Sequence, residues 1–163
     1  MKDSDQVHQQ FLALRASINN AQLATLAGDV TPQASYAPLV WFDKHCYLFL
    51  SELASHTRNL RANPSISLIL IEDQNTSANA FARRRISLQG KVEAVSREDE
   101  LFARVLAEFE HNFGDVMQII EPLPDFHLFR VVAERGRFIR GFGQAYELVG
   151  DNLDQLEHVD PRK

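Results

Sequence analysis

Two β-rich runs, Gln33 to Phe42 and Cys46 to Leu50, are separated by only three residues, Asp43-Lys44-His45. A link that short can only be a tight hairpin turn, so the two runs must be antiparallel neighbours. Gln22 to Ala27, Ser65 to Ile71 and Ile86 to Val95 read as further strands. Phe126 to Val132 and Arg137 to Arg140 read as a hairpin around Glu134-Arg135-Gly136, and Ala145 to Val149 as a last strand. These runs lie too close together for the helical crossovers of a doubly wound parallel sheet. The chain is therefore expected to be mostly β, an antiparallel barrel with peripheral helices, since closure removes exposed sheet edges.

The helices fit around that frame. Val7, Phe11, Leu14 and Ile18 recur at helical spacing, which predicts an amphipathic helix over 4–18, capped by Ser4 or Asp5. Ser55 to Ala62 is a short helix with Ser55 as its cap, ended by Asn63-Pro64. An acidic and polar loop, Glu72 to Ser77, and a short helical turn precede the fifth strand. Ser96 is expected to cap a longer helix whose apolar face carries Leu101, Val105, Leu106 and Phe109, with Asp99 at the reach-back position. His111 to Pro124 is a weaker helical segment. One domain is expected over 1–163, with the barrel over 22–149 and a polar tail over 150–163.

Composition narrows the function. Seventeen Lys and Arg stand against 22 Asp and Glu, for a net charge of −5. An acidic chain lacks the basic footprint of a general nucleic-acid binder. Nothing approaches the ~18 apolar residues of a membrane span, and no apolar signal stretch opens the chain, so a cytoplasmic protein is expected. Cys46 is the only cysteine, sits in an apolar strand, and reads as packing. The six histidines are scattered without zinc-ligand spacing, and no Gly-x-Ser-x-Gly elbow exists.

Three segments can carry chemistry. Ser55 to Pro64 places His56, Arg58 and Asn59 at a helix start, where backbone N–H groups and the dipole favour an anion; a capped surface helix with solvated arginines is the simpler alternative. Arg83-Arg84-Arg85 leads into a strand, and such a run needs an offsetting anion, or else acidic partners such as Glu72 and Asp73. Gly141-Phe142-Gly143 permits a sharp turn or the close approach of a ligand, and a plain turn between strands explains it equally well.

Taken in order, Ala34-Ser35-Tyr36-Ala37-Pro38, the His56 to Pro64 segment, Ala82-Arg83-Arg84-Arg85 and Gly141 to Tyr146 resemble the haem-utilisation proteins of the HugZ/HutZ type, over about residues 10 to 160. That family lies within the pyridoxamine 5′-phosphate oxidase-like, FMN-binding split β-barrels. The resemblance implies a six-stranded antiparallel split barrel and a homodimer with a cofactor site at the shared interface. It implies haem b as the ligand, broken down with oxygen and reducing equivalents, with FMN as the alternative cofactor and a non-catalytic haem or flavin carrier as a third reading. In the broader group the segments matching Ser51 to Asn59 and Arg85 to Gln89 hold the flavin phosphate. The implied cofactor-binding residues are Ser35, Tyr36, His56, Arg58, Asn59, Arg84, Arg85 and Gln89, with Asp125 supporting the chemistry. The family's iron ligand is a histidine in a C-terminal Gly-His-Arg stretch. Here the tail reads Glu157-His158-Val159-Asp160-Pro161-Arg162-Lys163 without that Gly-His, which leaves His158 as the histidine for the role.

Overall fold

The computed structural model describes residues 2–160, with side chains from Ser4 onward. The elements run α1 (Lys2–Ser17), β1 (Asn20–Leu26), β2 (Pro32–Phe42), β3 (His45–Ser51), α2 (Ser55–Ala62), β4 (Ser65–Ile71), β5 (Arg85–Val95), α3 (Glu100–Phe113), α4 (Val116–Ile120), β6 (Phe126–Gly141), β7 (Gln144–Val149) and β8 (Gln155–His158). Two single 3-10 turns, Gln74–Thr76 and Ala80–Ala82, bridge β4 to β5. Strands β1, β2, β3, β6, β5 and β4 pair antiparallel in that order, and β4 pairs back to β1. This closes a six-stranded antiparallel barrel, with β7 and β8 extending the sheet beyond the second half of β6.

The turn between β2 and β3 has the predicted tightness. Asp43 and Lys44 both have positive φ, 45° and 67°, the mirror-image turn whose twist matches two antiparallel strands. Strand β4 buries Ile66, Leu68 and Leu70, whereas Ile69 and Ile71 are only half-buried. Its flanks are both paired, as its apolar character suggests, but a closed barrel has an outer face. The interior is filled by Leu23, Leu39, Leu48, Leu68, Leu70, Ile86 and Phe138, and α1 covers one end with Val7, Phe11 and Leu14. A second cluster packs α3 on β2 and β3 through Val40, Tyr47, Phe49, Phe102, Val105, Leu106 and Phe109.

Several local expectations are corrected. Helix α1 is already under way at Lys2, so Ser4 and Asp5 lie within its first turn rather than capping it. Ala54, not Ser55, occupies the cap position of α2 and makes no side-chain bond. The entry to that helix is held by Ser51 instead, whose Oγ accepts from Leu53 N at 3.1 Å and whose carbonyl accepts from Thr57 Oγ1 at 2.6 Å. Helix α3 is capped by Asp99, which accepts from Leu101 N at 2.9 Å, because Ser96 is spent on a preceding turn where its Oγ accepts from Glu98 N at 3.3 Å. Phe102 is buried on that helix and Leu101 only half-buried.

The expected hairpin around Glu134-Arg135-Gly136 does not exist: β6 runs unbroken from Phe126 to Gly141. Gln89 pairs with Arg135 and Gly90 with Ala133, so Glu134 is an extra residue that bends the strand without ending it. A Cβ on Gly90 would stand 2.1 Å from the Val132 carbonyl oxygen, and glycine is what permits that approach. The polar tail is also more ordered than its composition suggests, because Gln155–His158 pairs with β7 as β8. The final Pro161-Arg162-Lys163 lies outside the described residues.

Candidate functional site

The end of β3, the start of α2 and the start of β6 form one polar cluster. Ser51 Oγ donates to Asp125 Oδ2 at 2.7 Å, and Glu52 N donates to the Asp125 carbonyl at 2.9 Å. Glu52 Oε1 meets His127 Nε2 at 2.7 Å and also pairs with Arg61. Arg58 Nη1 donates to the carbonyls of Glu52 at 2.7 Å and Leu53 at 3.3 Å, which leaves its other N–H groups for a ligand. Asn59 turns inward, its amide donating to Thr25 Oγ1 at 3.0 Å and Gln33 Oε1 at 2.7 Å, and so ties α2 to the barrel. His56 is buried, and burial alone pulls its pKa below the usual imidazole value, which keeps a neutral ring with a free lone pair.

The three consecutive arginines divide their work. Glu72 is buried, and its carboxylate takes Arg84 N and Arg84 Nε, each at 2.7 Å. The Glu72 carbonyl accepts from Arg83. Arg84 thus answers to an acidic partner in the same chain, one of the two the sequence suggests. Arg85 does not: its guanidinium donates to the Arg83 carbonyl at 2.9 Å and has no acidic partner among the described residues.

Sheet register places Arg85 among other polar groups. Side chains alternate faces along a strand, so Arg85, Ser87 and Gln89 share one face of β5 while Ile86 and Leu88 point into the barrel. Ser87 pairs across to Ile69 and Arg137, Ile69 to Gln22, and Gln22 to Tyr36, which is 57% exposed. Gln89, Ser67 and Arg135 border a shallow groove of about 410 Å³ on this outer face. Ser35 points the other way, and its Oγ is buried with no hydrogen-bond partner among the described residues. One chain therefore places Tyr36, Arg85 and Gln89 on the same outer face of the sheet, and groups Ser51, Arg58 and Asp125 where β3 meets α2, with His56 buried at the start of the same helix.

His158 joins neither group. It pairs with Tyr146, which pairs with Phe138, a residue of the inner face, and its ring packs edge-on to Tyr146 at 5.2 Å. Its side chain is exposed, on the side of the sheet opposite Arg85. Cys46 is buried and its thiol is pushed up to about 12, consistent with a packing role. Gly141-Phe142-Gly143 forms the β6–β7 turn, with Gly143 at φ 70° and Phe142 82% exposed. The sequence singles out the segment from Ser51 to Asn59 but not the bonds that join Ser51 to Asp125 and Glu52 to His127. The signal was the β3–β6 pairing, Leu50 with His127 and Ser51 with Phe126, which no local pattern reveals.

The donor set fits an anionic planar group. A guanidinium without an acidic partner, an exposed phenol and an amide on a flat face match carboxylate or phosphate tails beside a ring system. Among the described residues no three His, Cys, Asp or Glu side chains cluster to hold a metal ion directly, and no helix is long and apolar enough to cross a membrane.

Comparison with known proteins agrees with this architecture. The chain is 38% identical over 139 residues to the heme oxygenase HutZ of Vibrio cholerae, an overlap of 85% of this chain and 79% of that protein. A crystal structure of HutZ, described there as the heme storage protein of Vibrio cholerae, superposes with a TM-score of 0.76 at 32% identity, covering 82% of this chain and 93% of that one. Campylobacter jejuni ChuZ superposes with a TM-score of 0.87 at 31% identity, covering 98% of this chain, which spans 66% of ChuZ's length. Residues 6–140 match the pyridoxamine 5′-phosphate oxidase family model, and with the closed six-stranded barrel this shows that the chain belongs to that family.

Proposed function

We propose that this chain binds haem b at a site completed by a second copy of itself, and degrades it during haem iron utilisation in the cytoplasm. The observation that carries the haem reading is the 38% identity to a protein named as a heme oxygenase, over most of both chains. The geometry supports a shared site. The Arg85–Gln89–Tyr36 face and the His56–Arg58–Asp125 cluster are separate groups in one chain, and two copies packed through their outer sheet faces would let each supply one half.

In this reading Arg85 and Arg58 hold the propionates by charge-assisted bonds, with Gln89 and Tyr36 completing the polar wall and Ser35, turned to the other face, outside it. Arg84 braces the loop through Glu72, and Asn59 braces α2 through Gln33 and Thr25. Asp125, fixed by Ser51, presents its second carboxylate oxygen to orient an imidazole or a bound water. Haem, once held, supplies the redox-active iron at which oxygen and electrons meet. The buried His56 is the candidate iron ligand beside the cluster, whereas His158, the ligand the resemblance implies, lies on the side of the sheet away from Arg85 and would need the tail to rearrange to reach the iron.

FMN is the second reading, favoured by the family's own flavoenzyme name, because a flavin phosphate asks for the same arginines. A carrier without turnover is the third, favoured by the description of HutZ as a storage protein. Turnover separates enzyme from carrier. Haem-loaded protein given ascorbate in aerated buffer should lose its Soret band and release iron that a ferrous chelator captures. An unchanged spectrum with no released iron would leave only the carrier.

A further inference from the structure

Asp125 is held from two sides. From β3, Ser51 Oγ donates to its carboxylate at 2.7 Å and Glu52 N donates to its carbonyl at 2.9 Å. From the turn between β5 and α3, Arg97 reaches the main chain before and after it. Arg97 Nη1 donates to the Glu121 carbonyl at 2.8 Å, and Nη2 donates to the carbonyls of Leu123 at 2.7 Å and Phe126 at 3.0 Å. The same guanidinium lies over the buried Phe102 ring, 5.1 Å from its centre, which fixes the plane of the fork.

The segment that Arg97 holds has little else to hold it. Glu121 to Asp125 runs between α4 and β6, outside any helix or strand. Pro122 and Pro124 have no N–H to donate, so the stretch cannot build a backbone ladder of its own. An aspartate side chain is short and turns about two bonds, so the direction of its carboxylate follows closely from its backbone. A shift of the chain between Leu123 and Phe126 would carry the Asp125 carboxylate with it.

We infer that Arg97 is a positioning residue for Asp125: by fixing the carbonyls on both sides, it sets the direction in which that carboxylate meets a ligand. The effect on turnover rests on the haem-degrading role proposed above, whereas the placement of Asp125 does not.

A double-mutant cycle on the haem-loaded full chain, read as ascorbate-driven loss of the Soret band, tests the effect on turnover. Arg97→Ala should slow turnover by about ten- to a hundredfold, as a small misplacement of a working group does. Asp125→Asn, which keeps an acceptor for Ser51, should slow it as well. In the Asp125→Asn background Arg97→Ala should cost less than about twofold, because the carboxylate it positions is gone. An equal loss in both backgrounds would make Arg97 a structural tether and overturn the inference. Amide hydrogen exchange on the full chain without added ligand reads the placement apart from any chemistry. Arg97→Ala should speed exchange roughly tenfold or more at the Glu52 N–H, which donates to the Asp125 carbonyl. The Val92 N–H, bonded to the Pro64 carbonyl at 2.9 Å, should not change. Faster exchange at Glu52 in a protein whose wild type shows no haem turnover would support the placement and remove the haem-degrading reading. Unchanged exchange at Glu52, or equal acceleration at Glu52 and Val92, would overturn the inference. If Arg97→Ala does not fold, Arg97→Lys, which keeps the charge but not the fork, should shift both measurements in the same directions, and no shift in either would overturn it.

Discussion

Ser51 Oγ lies 2.7 Å from Asp125 Oδ2, so the last residue of β3 fixes the carboxylate that precedes β6. The same hydroxyl accepts from Leu53 N at 3.1 Å, so one side chain both orients Asp125 and shapes the entry to α2. Replacing it should affect stability and site together. Ser51→Ala should cost about 1–2 kcal/mol, chiefly from the lost bond to the Asp125 carboxylate, since water can replace the hydroxyl at the exposed Leu53 N–H. Urea unfolding measures this, and an unchanged midpoint would mean that water replaces the hydroxyl. Ser51→Thr, which keeps the hydroxyl, should recover most of the loss.

The bend in β6 gives a second expectation. Gly90→Ala puts a Cβ 2.1 Å from the Val132 carbonyl, where only backbone movement relieves the clash. The loss should reach the upper part of the ~1–3 kcal/mol typical of overpacking, because two paired strands must shift. Gly28→Ala is the control, since nothing lies within 4 Å of its added Cβ. Equal stability of the two variants would contradict the close approach.

His56 makes stability depend on pH. Its folded pKa lies below the ordinary imidazole value of about 6.5 because burial disfavours the charged ring. The unfolded chain therefore binds more protons below about pH 6.5, and stability falls as pH drops from there through the folded value. His56→Gln should flatten that slope. Denaturant melts at pH 7 and pH 5 on both proteins check it, and equal slopes would place the ring in contact with solvent.

The barrel was legible because its apolar runs are separated by turn residues: Asp43-Lys44 and Asn63-Pro64 punctuate the chain where the structure does. The long β6 was not legible, because Glu134-Arg135-Gly136 has the composition of a turn and becomes a bulge only opposite Gly90. Strand β8 was hidden by its polarity, which an outer edge strand tolerates. At the site, the basic residues were visible as residue types but their roles were not. Arg84 and Arg85 are identical neighbours, and only the fold shows that Glu72 takes the first and leaves the second. The Glu52–His127 contact joins positions 75 residues apart, beyond any local pattern.

A shared site requires two copies. Light scattering at micromolar concentration should find a dimer, with an interface in the range above ~2,000 Å² usual for permanent pairs. Arg85→Ala should weaken cofactor binding by about 1.5–3 kcal/mol with fold and dimer retained, as expected for a lost charge-assisted bond. A stable monomer that still binds cofactor at full affinity would remove the shared site.

The most direct test is an equilibrium titration of the purified protein with haem and, separately, with FMN, followed by visible absorption, on the full chain and on a chain ending at Glu157. Haem should give a saturable Soret shift at one haem per subunit and bind at least tenfold tighter than FMN. If His158 is the iron ligand, the shortened chain loses the Soret position, whereas His56→Ala loses it if the buried histidine is. Tight FMN binding with only weak, unsaturable haem absorption would contradict the account and make this a flavoprotein.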